Sequence, residues 1–194
     1  SGYDVNGQLG QGERIPSPYN QYYHRKVALP EDVRITDVEV NIHSSCAVDE
    51  NSELWCWGYN RGYVFGTDST DSIQAMPMKV RGLENISVDT VSVGEDHQCL
   101  LSNDSKVYCW GDNGYGKLGI GNHISSTSTP TMVTLPNDLY AIQLDTSYRT
   151  SCVLTNEGSV YCWGYNNGYL GNGLSGNSYT PTQVLLPFTD KIEK

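Results

Sequence analysis

Apolar and polar residues alternate over short stretches of this chain, in the pattern typical of half-buried β-strands. One such stretch carries Val38, Val40 and Ile42, and an equivalent stretch carries Val91 and Val93. The composition favours the same kind of element, because 20 glycines, 14 tyrosines against two phenylalanines and only 18% charged residues suit short strands joined by turns. We therefore expect an all-β chain that forms one domain over residues 1–194.

The residues after the second stretch predict a β-hairpin. Its strands run from about Cys99 to Leu101 and from about Val107 to Trp110, and Asn103-Asp104-Ser105 between them are residue types that favour turns. A last strand is expected near Pro130, because a proline is tolerated at the start of a strand or at a sheet edge. The pattern thus predicts four strands in succession.

The six cysteines show that this pattern repeats. The first members of three pairs lie 53 residues apart, and each partner follows ten residues later. A Cys-Trp-Gly-x-Asn motif and a Pro-x-x-Val motif recur with them, and a Gly-x-Leu-Gly motif recurs between the two. A repeat of this length with regular glycines suits the four-stranded blade of a β-propeller.

The cysteine spacing predicts disulfides. Residues ten apart across a short turn lie opposite each other on antiparallel strands, where their β-carbons are within reach of a bond. Buried free thiols are the alternative, and zinc is a poorer third interpretation because no Cys-x-x-Cys spacing occurs. The predicted pairs are Cys46 with Cys56, Cys99 with Cys109, and Cys152 with Cys162.

Charge and apolar content exclude two classes of partner. Twelve basic against 22 acidic residues give a net charge of −10, which repels nucleic acid unless the fold hides a basic patch. No apolar run approaches the roughly 20 residues of a membrane-spanning helix. We therefore expect no nucleic acid partner and no membrane span.

The motifs together resemble the repeat of the regulator of chromosome condensation family. The resemblance covers nearly the whole chain, as units 2–57, 58–110 and 111–163 and an incomplete unit 164–194. It implies a circular β-propeller, usually of seven blades, and the cysteine-bearing form is similar to the repeats of exported members. We therefore expect an all-β partial propeller of about three and a half blades.

The length of the chain leaves three assemblies open. A seven-bladed ring needs roughly twice this many residues. The chain is then a piece of a longer protein, or half of a ring closed by a second copy, or a free-standing arc. In the first two cases further blades of the same or a longer chain are partners.

The cysteines and two acceptor sequences for N-linked glycans point to one kind of compartment. Disulfides persist in oxidising surroundings, and the sequences beginning at Asn85 and Asn103 fit a secreted eukaryotic protein. We expect a secreted or extracellular glycoprotein.

Catalytic chemistry is not expected. The four histidines have no partner at a recognisable catalytic spacing, and neither a nucleophile elbow nor a phosphate-binding loop occurs. The aspartate-rich stretch 66–71 suits a solvated turn better than a calcium loop. The sequence predicts that the chain is not an enzyme and that it holds no cofactor and no metal.

Tyrosines outside the repeated columns are the candidate contact residues. Tyrosine-rich loops on a rigid scaffold supply contact area at many protein interfaces, although tyrosines also cover blade edges. The predicted partner-binding residues are Tyr19, Tyr22, Tyr23 and Arg25, and the tyrosines of the equivalent turns are Tyr59, Tyr63, Tyr115, Tyr165 and Tyr169.

Three functions follow from these observations. The first is a non-enzymatic extracellular interaction or structural module that binds a protein or glycan through its loops. The second, implied by the resemblance, is guanine-nucleotide exchange on a small GTPase, which requires a reducing compartment and free thiols. The third is part of a secreted carbohydrate-active enzyme, which requires paired carboxylates in one pocket.

Overall fold

A computed structural model of the chain describes residues 4–13, 24–60, 65 and 71–186, and these form three four-stranded antiparallel sheets. Blade 1 contains β1 (Ile35–Val40), β2 (Ser44–Asp49), β3 (Leu54–Tyr59) and β4 (Ile73–Lys79). Blade 2 contains β5 (Val88–Val93), β6 (His97–Ser102), β7 (Val107–Asp112) and β8 (Ser126–Val133), with a short 3₁₀ turn at Gly114–Gly116. Blade 3 contains β9 (Ala141–Thr146), β10 (Thr150–Thr155), β11 (Val160–Gly164) and β12 (Ser178–Gln183).

Each blade is a meander in which consecutive strands are neighbours. The boundary between two sequence units, after Trp57, Trp110 or Trp163, falls within the third strand of a blade. The fourth strand therefore belongs to the next unit, and the stretch after Trp163 supplies β12 of blade 3. The all-β fold of four-stranded propeller blades is confirmed.

One disulfide crosses the central hairpin of each blade. The bonds join Cys46 to Cys56, Cys99 to Cys109, and Cys152 to Cys162, with 4.1 Å between the Cα atoms of every pair. In each blade the two cysteines face each other in the strand register, as the ten-residue spacing predicts. No cysteine of the chain is free. A cross-link over so short a loop adds about 2–3 kcal/mol by limiting the unfolded chain.

The apolar core lies between successive blades. Val91 and Val93 of β5 are buried because β5 packs against β1 and β2 of blade 1. The equivalent Val38 and Val40 of β1 are 58% and 69% exposed, because no described sheet packs on that side of blade 1. The same alternation therefore gives a buried strand or an exposed one, depending on its neighbour. Two apolar clusters result. The cluster between blades 1 and 2 includes Val48, Leu54, Leu100 and Trp110. The cluster between blades 2 and 3 includes Leu101, Val107, Val153 and Trp163.

The Gly-x-Leu-Gly motif forms a loop that covers the tryptophan of the following blade. In blade 3, the indole N–H of Trp163 donates to the carbonyl of Lys117, which lies in the β7–β8 loop of blade 2, at 3.0 Å. The Ser151 hydroxyl donates to the same carbonyl, also at 3.0 Å. Trp57 likewise donates to the carbonyl of Gln8 at 2.9 Å. The repeated tryptophans and glycine loops thus join neighbouring blades.

Candidate functional site

The meander gives every blade two different ends. The loop end carries the turn between the first and second strands and the longer loop between the third and fourth. The hairpin end carries the tight turn of the disulfide-linked hairpin and the connection to the next blade. Residues that the repeat does not require are concentrated in these connections, so either end can form a binding surface.

Three tyrosines surround one arginine at the loop end, between blades 2 and 3. The guanidinium carbon of Arg149 lies 4.8 Å from the ring centroids of Tyr115 and Tyr148 and 5.7 Å from that of Tyr165. The rings of Tyr115 and Tyr165 meet edge to face, with 5.1 Å between their centroids. We call these four residues the Arg149 cluster.

The backbone fixes the positions of the cluster. Tyr148 and Arg149 form the turn between β9 and β10, and the N–H of Tyr165 after β11 donates to the carbonyl of Arg149 at 2.9 Å. Tyr115 reaches them from the β7–β8 loop of blade 2, where it adopts a left-handed φ of 67° that is uncommon for tyrosine. Two blades thus contribute to one surface.

The cluster combines a fixed cation with exposed aromatic surface. Tyr115 is 39% exposed and Tyr148 is 53% exposed. A hydrogen bond with Tyr148 raises the pKa of Arg149, so the guanidinium is charged at every physiological pH. No carboxylate of the described ranges forms an ion pair with it. Stacking on the rings limits its rotamers, which reduces the entropy lost when a partner binds.

The positions equivalent to Arg149 and Tyr165 carry different side chains in the other two blades. In blade 1 they are occupied by His43 and Tyr59, whose rings meet edge to face at 5.9 Å. In blade 2 they are occupied by Asp96 and Asp112. The Asp112 carboxylate forms an ion pair with the buried Lys117, with 2.8 Å between Oδ1 and Nζ. The loop end therefore presents a histidine, an acidic pair and an arginine in succession.

The predicted contact residues have different outcomes. Tyr19, Tyr22 and Tyr23, together with Tyr63, lie outside the described residues. Arg25 is exposed, and its assignment as a contact residue stays a prediction. Tyr115 and Tyr165 belong to the Arg149 cluster, and Tyr169 lies beside it, 5.9 Å from the ring of Tyr165. Tyr148 and Arg149 were not predicted.

Other kinds of site find little support in the described parts of the chain. They hold no group of three or more histidine, cysteine, aspartate or glutamate side chains placed to bind a metal. They also contain no helix with the length and apolar character needed to cross a bilayer. Within the stretch 66–71, only Asp71 is described. Asn85 and Asn103 are both exposed at the hairpin end.

Successive four-stranded sheets, with a preceding glycine loop against the tryptophan of blades 1 and 3, define a β-propeller repeat protein. The chain belongs to the regulator of chromosome condensation (RCC1) repeat family. The sequence model of this repeat matches residues 51–101 and 104–154, more than half of the chain, and a second model of the same repeat matches 88–117 and 141–169. The resemblance noted from the motifs is thereby confirmed.

Curated relatives match this chain over part of their own length. The ultraviolet-B receptor UVR8 of Arabidopsis thaliana is 29% identical over 193 residues, which are 98% of this chain and 42% of the receptor. The E3 ubiquitin-protein ligase HERC2 of Mus musculus is 31% identical over 170 residues, which are 86% of this chain and 4% of the ligase. The chain thus spans less than half the length of these relatives.

Solved structures share the fold. Human WBSCR16 matches with a TM-score of 0.81 at 21% identity, over 95% of this chain and 47% of that one. Yeast RCC1 (Prp20), solved bound to Kap60, matches with a TM-score of 0.79 at 17% identity, over 96% of this chain and 44% of that one. At these identities the similarity concerns the fold alone.

One expectation from the sequence needs correction. The absence of a catalytic motif led to the prediction that the chain is not an enzyme, and this prediction is wrong as a statement about the protein class. RCC1 repeats occur in HERC2, which is named as an E3 ubiquitin-protein ligase. Propeller repeats without a catalytic motif therefore do not exclude an enzyme.

Proposed function

We propose that this chain is a protein-binding propeller segment whose loop end, centred on the Arg149 cluster, contacts a partner outside the reducing cytosol. The observation that carries the proposal is the arginine held among three tyrosine rings on a surface built by two blades. Arginine and tyrosine are enriched at the centres of protein interfaces, where they account for a large share of the binding energy.

A protein partner is favoured over a glycan by the similar structures. Yeast RCC1 (Prp20), which shares this fold, was solved bound to the protein Kap60, and this supports a protein as the class of partner. For the chain described here, Tyr148 offers an exposed ring and Arg149 offers guanidinium donors that no described carboxylate occupies. A complementary partner presents a carboxylate beside an apolar or aromatic side chain.

The compartment is proposed from the disulfides. Three separate hairpins carry the same cross-link, and cytosolic proteins seldom keep such bonds. Titration of thiols in protein from its native source tests this part, with no reactive thiol expected under denaturing conditions. Six free thiols would contradict it and favour the alternative of nucleotide exchange on a GTPase in a reducing compartment.

The binding surface is tested by comparing matched tyrosine variants. Chemical cross-linking in the source fluid identifies the partner, and its Kd is then measured for Tyr148→Ala, Arg149→Ala and Tyr140→Ala. Tyr140 is 49% exposed, close to the 53% of Tyr148, but it lies at the hairpin end. We expect the two cluster variants to weaken binding about tenfold or more, which is about 1.4 kcal/mol. Tyr140→Ala should change Kd less than twofold. Equal effects of all three variants, or cross-links confined to the hairpin end, would reject the surface.

A further inference from the structure

We propose that the folded, secreted protein carries an N-linked glycan on Asn85 and none on Asn103, because a sugar on Asn103 would break amide contacts that join blades 1 and 2. The inference rests on the proposed compartment outside the cytosol, where such transfer takes place. Both asparagines are exposed and both stand in an Asn-x-Ser sequence, so the sequence alone treats them alike. Their hydrogen bonds distinguish them.

Both hydrogens of the Asn103 side-chain amide take part in hydrogen bonds. Its Nδ2 donates to the hydroxyl of Ser87 at 2.6 Å and to the hydroxyl of Ser52 at 3.2 Å. Its backbone N–H donates to the carbonyl of Ser87 at 2.9 Å. Ser52 lies in the β2–β3 turn of blade 1 and Ser87 in the connection to blade 2. Asn103 therefore ties three segments of the hairpin end together.

The repeat gives an independent reason for asparagine at this position. In blade 3 the equivalent residue is Asn156, whose N–H donates to the carbonyl of Tyr140 at 3.0 Å. Its Oδ1 accepts the N–H of Tyr140 at 3.1 Å. Asn156 is followed by glutamate and glycine, so it is not a glycan acceptor. Blade 3 thus uses asparagine here for a structural contact that requires no sugar, whereas blade 1 has Glu50 at this position.

Asn85 differs in each of these respects. Its side chain is exposed in the β4–β5 connection and makes no hydrogen bond within the described residues. The equivalent positions carry Asp32 and Asp138, both exposed, so the turn requires only a small polar side chain. Asn85 also stands at the edge of a cleft of about 910 Å³ that Trp55 and Lys79 help to line. A sugar on Asn85 therefore breaks no bond and has room beside it.

The transfer step is the same at both sites, but its product has a different cost in the folded protein. The bond formed joins Nδ2 of the asparagine to the anomeric carbon of the first sugar, and the bond broken joins that carbon to the pyrophosphate of a lipid-linked oligosaccharide donor. One amide proton is lost and the lipid pyrophosphate leaves. A modified Nδ2 keeps one hydrogen, so at Asn103 one of the bonds to Ser52 and Ser87 is lost. At Asn85 no bond is lost.

Site occupancy tests the inference. The full-length protein is recovered from a eukaryotic secretory host, and its glycopeptides are identified by mass spectrometry before and after enzymatic removal of N-linked sugars. We expect sugar on the peptide that contains Asn85 and none on the peptide that contains Asn103. Asn85→Gln should abolish the mass shift without lowering Tm, whereas Asn103→Gln should keep the mass shift and lower Tm.

A matched variant separates the second acceptor sequence from its asparagine. Ser105→Ala removes the acceptor sequence at Asn103 but keeps the amide that binds Ser52 and Ser87, so both the mass shift and Tm should stay unchanged. Sugar on Asn103, or no sugar on either site in a secreted and fully disulfide-bonded chain, would overturn the inference. Free thiols in that chain would instead overturn the proposed compartment, and the inference with it.

Discussion

Asp4 occupies a position that asparagine fills in the three later units. The Asp4 carboxylate accepts the N–H of Leu9 at 2.8 Å, as the amide oxygen of Asn113 accepts that of Leu118 at 3.2 Å. Asn113 also donates its Nδ2 to the carbonyl of Asn122 at 3.1 Å. Asp4 has no such hydrogen, and its Oδ2 is buried without a hydrogen-bond partner among the described residues. Burial raises the pKa of Asp4, although the bond from Leu9 opposes the rise.

Asp4→Asn is therefore expected to stabilise the fold. At pH 7 the substitution removes a buried charge and restores the missing donor, so the free energy of unfolding should rise by about 1 kcal/mol. The raised pKa means that the folded state binds a proton more tightly than the unfolded state. Acid thus relieves the penalty in the native protein, and the gain should shrink as the pH falls through the pKa of Asp4.

Urea unfolding at pH 7 and in acid measures this gain. The reciprocal change, Asn113→Asp, removes the donor to Asn122 in blade 2 and should destabilise at pH 7. If Asp4→Asn lowered the stability at pH 7, the carboxylate would have to be serving a contact that the described residues do not contain.

At the residue scale, sequence reasoning found part of the candidate site. Tyr115 and Tyr165 were predictable because they depart from the repeated columns. Arg149 was missed because it lies next to β10 in a column that also holds His43 and Asp96. A repeat position that is histidine, aspartate and arginine in turn has no shared role in packing. That variation was the sequence signal that could have indicated a contact residue. The grouping around the guanidinium depends on the left-handed turn at Tyr115, which no local motif announces.

At the scale of the element, the central hairpin was fully predictable. Turn residues, facing cysteines and the 53-residue period specify the same register, and the structure has Cys99 opposite Cys109 in that register. The exposure of β1 was not predictable, because the alternation of Val38 and Val40 equals that of Val91 and Val93 and only the neighbouring blade differs. Local pattern thus gives strands and pairing, while burial depends on assembly.

The glycine after the tryptophan has no room for a side chain in blades 1 and 3, where an added Cβ would lie 2.5 Å or less from a backbone oxygen. Gly164 has a φ of 108°, and a Cβ added there would lie 2.3 Å from the carbonyl oxygen of Arg149. Gly164→Ala should therefore lower the free energy of unfolding by more than about 2 kcal/mol, from the strained φ and the collision together. Because Arg149 must move, binding through the Arg149 cluster should weaken as well.

Gly176→Ala is the control for this change. Gly176 has nearly the same φ, 112°, but nothing lies within 4 Å of an added Cβ. The free energy of unfolding of Gly176→Ala should fall by about 1–2 kcal/mol only, which is the cost of a left-handed backbone for a residue with a side chain. Chemical unfolding of both variants separates the two contributions, and equal losses would show that the contact with Arg149 does not matter.

At the scale of the whole molecule, the blades depend on one another through buried polar contacts. His97 of blade 2 is fully buried, and its Nε2 lies 2.9 Å from the hydroxyl of Ser151 in blade 3. Burial lowers the pKa of His97 to about 3, the charge of Lys117 adds to this, and Asp112 opposes it. A proton on this ring would place a second cation beside Lys117 inside the interface.

Acid should therefore weaken the whole stack. In the unfolded chain histidine titrates near 6.5, so below that pH the unfolded state takes up a proton that the folded state refuses. The free energy of unfolding should fall as the pH drops from about 6.5 to about 3, by up to about 1.4 kcal/mol per pH unit from this residue. His97→Ser, which places the residue found at position 44 of blade 1, should remove this part of the pH dependence while lowering stability at pH 7 through lost packing.

Unfolding midpoints between pH 3 and pH 7 measure this dependence. His123→Ser is the control, because His123 is exposed, and its profile should follow that of the unsubstituted protein. If the stability of His97→Ser fell with pH as steeply as that of the unsubstituted protein, the loss of stability in acid would be due to carboxylates instead.

Because the last strand of every blade is encoded in the following unit, the protein can grow or shrink by whole copies. Duplication or deletion of one 53-residue segment within the array leaves each remaining sheet with four strands and keeps the kind of loop contact that Trp57 and Trp163 make. Contacts that differ from one pair of blades to the next, such as His97 with Ser151, are the ones that such an event would change. Selection can then diversify single turn positions, such as 43, 96 and 149, on a scaffold whose copy number varies independently.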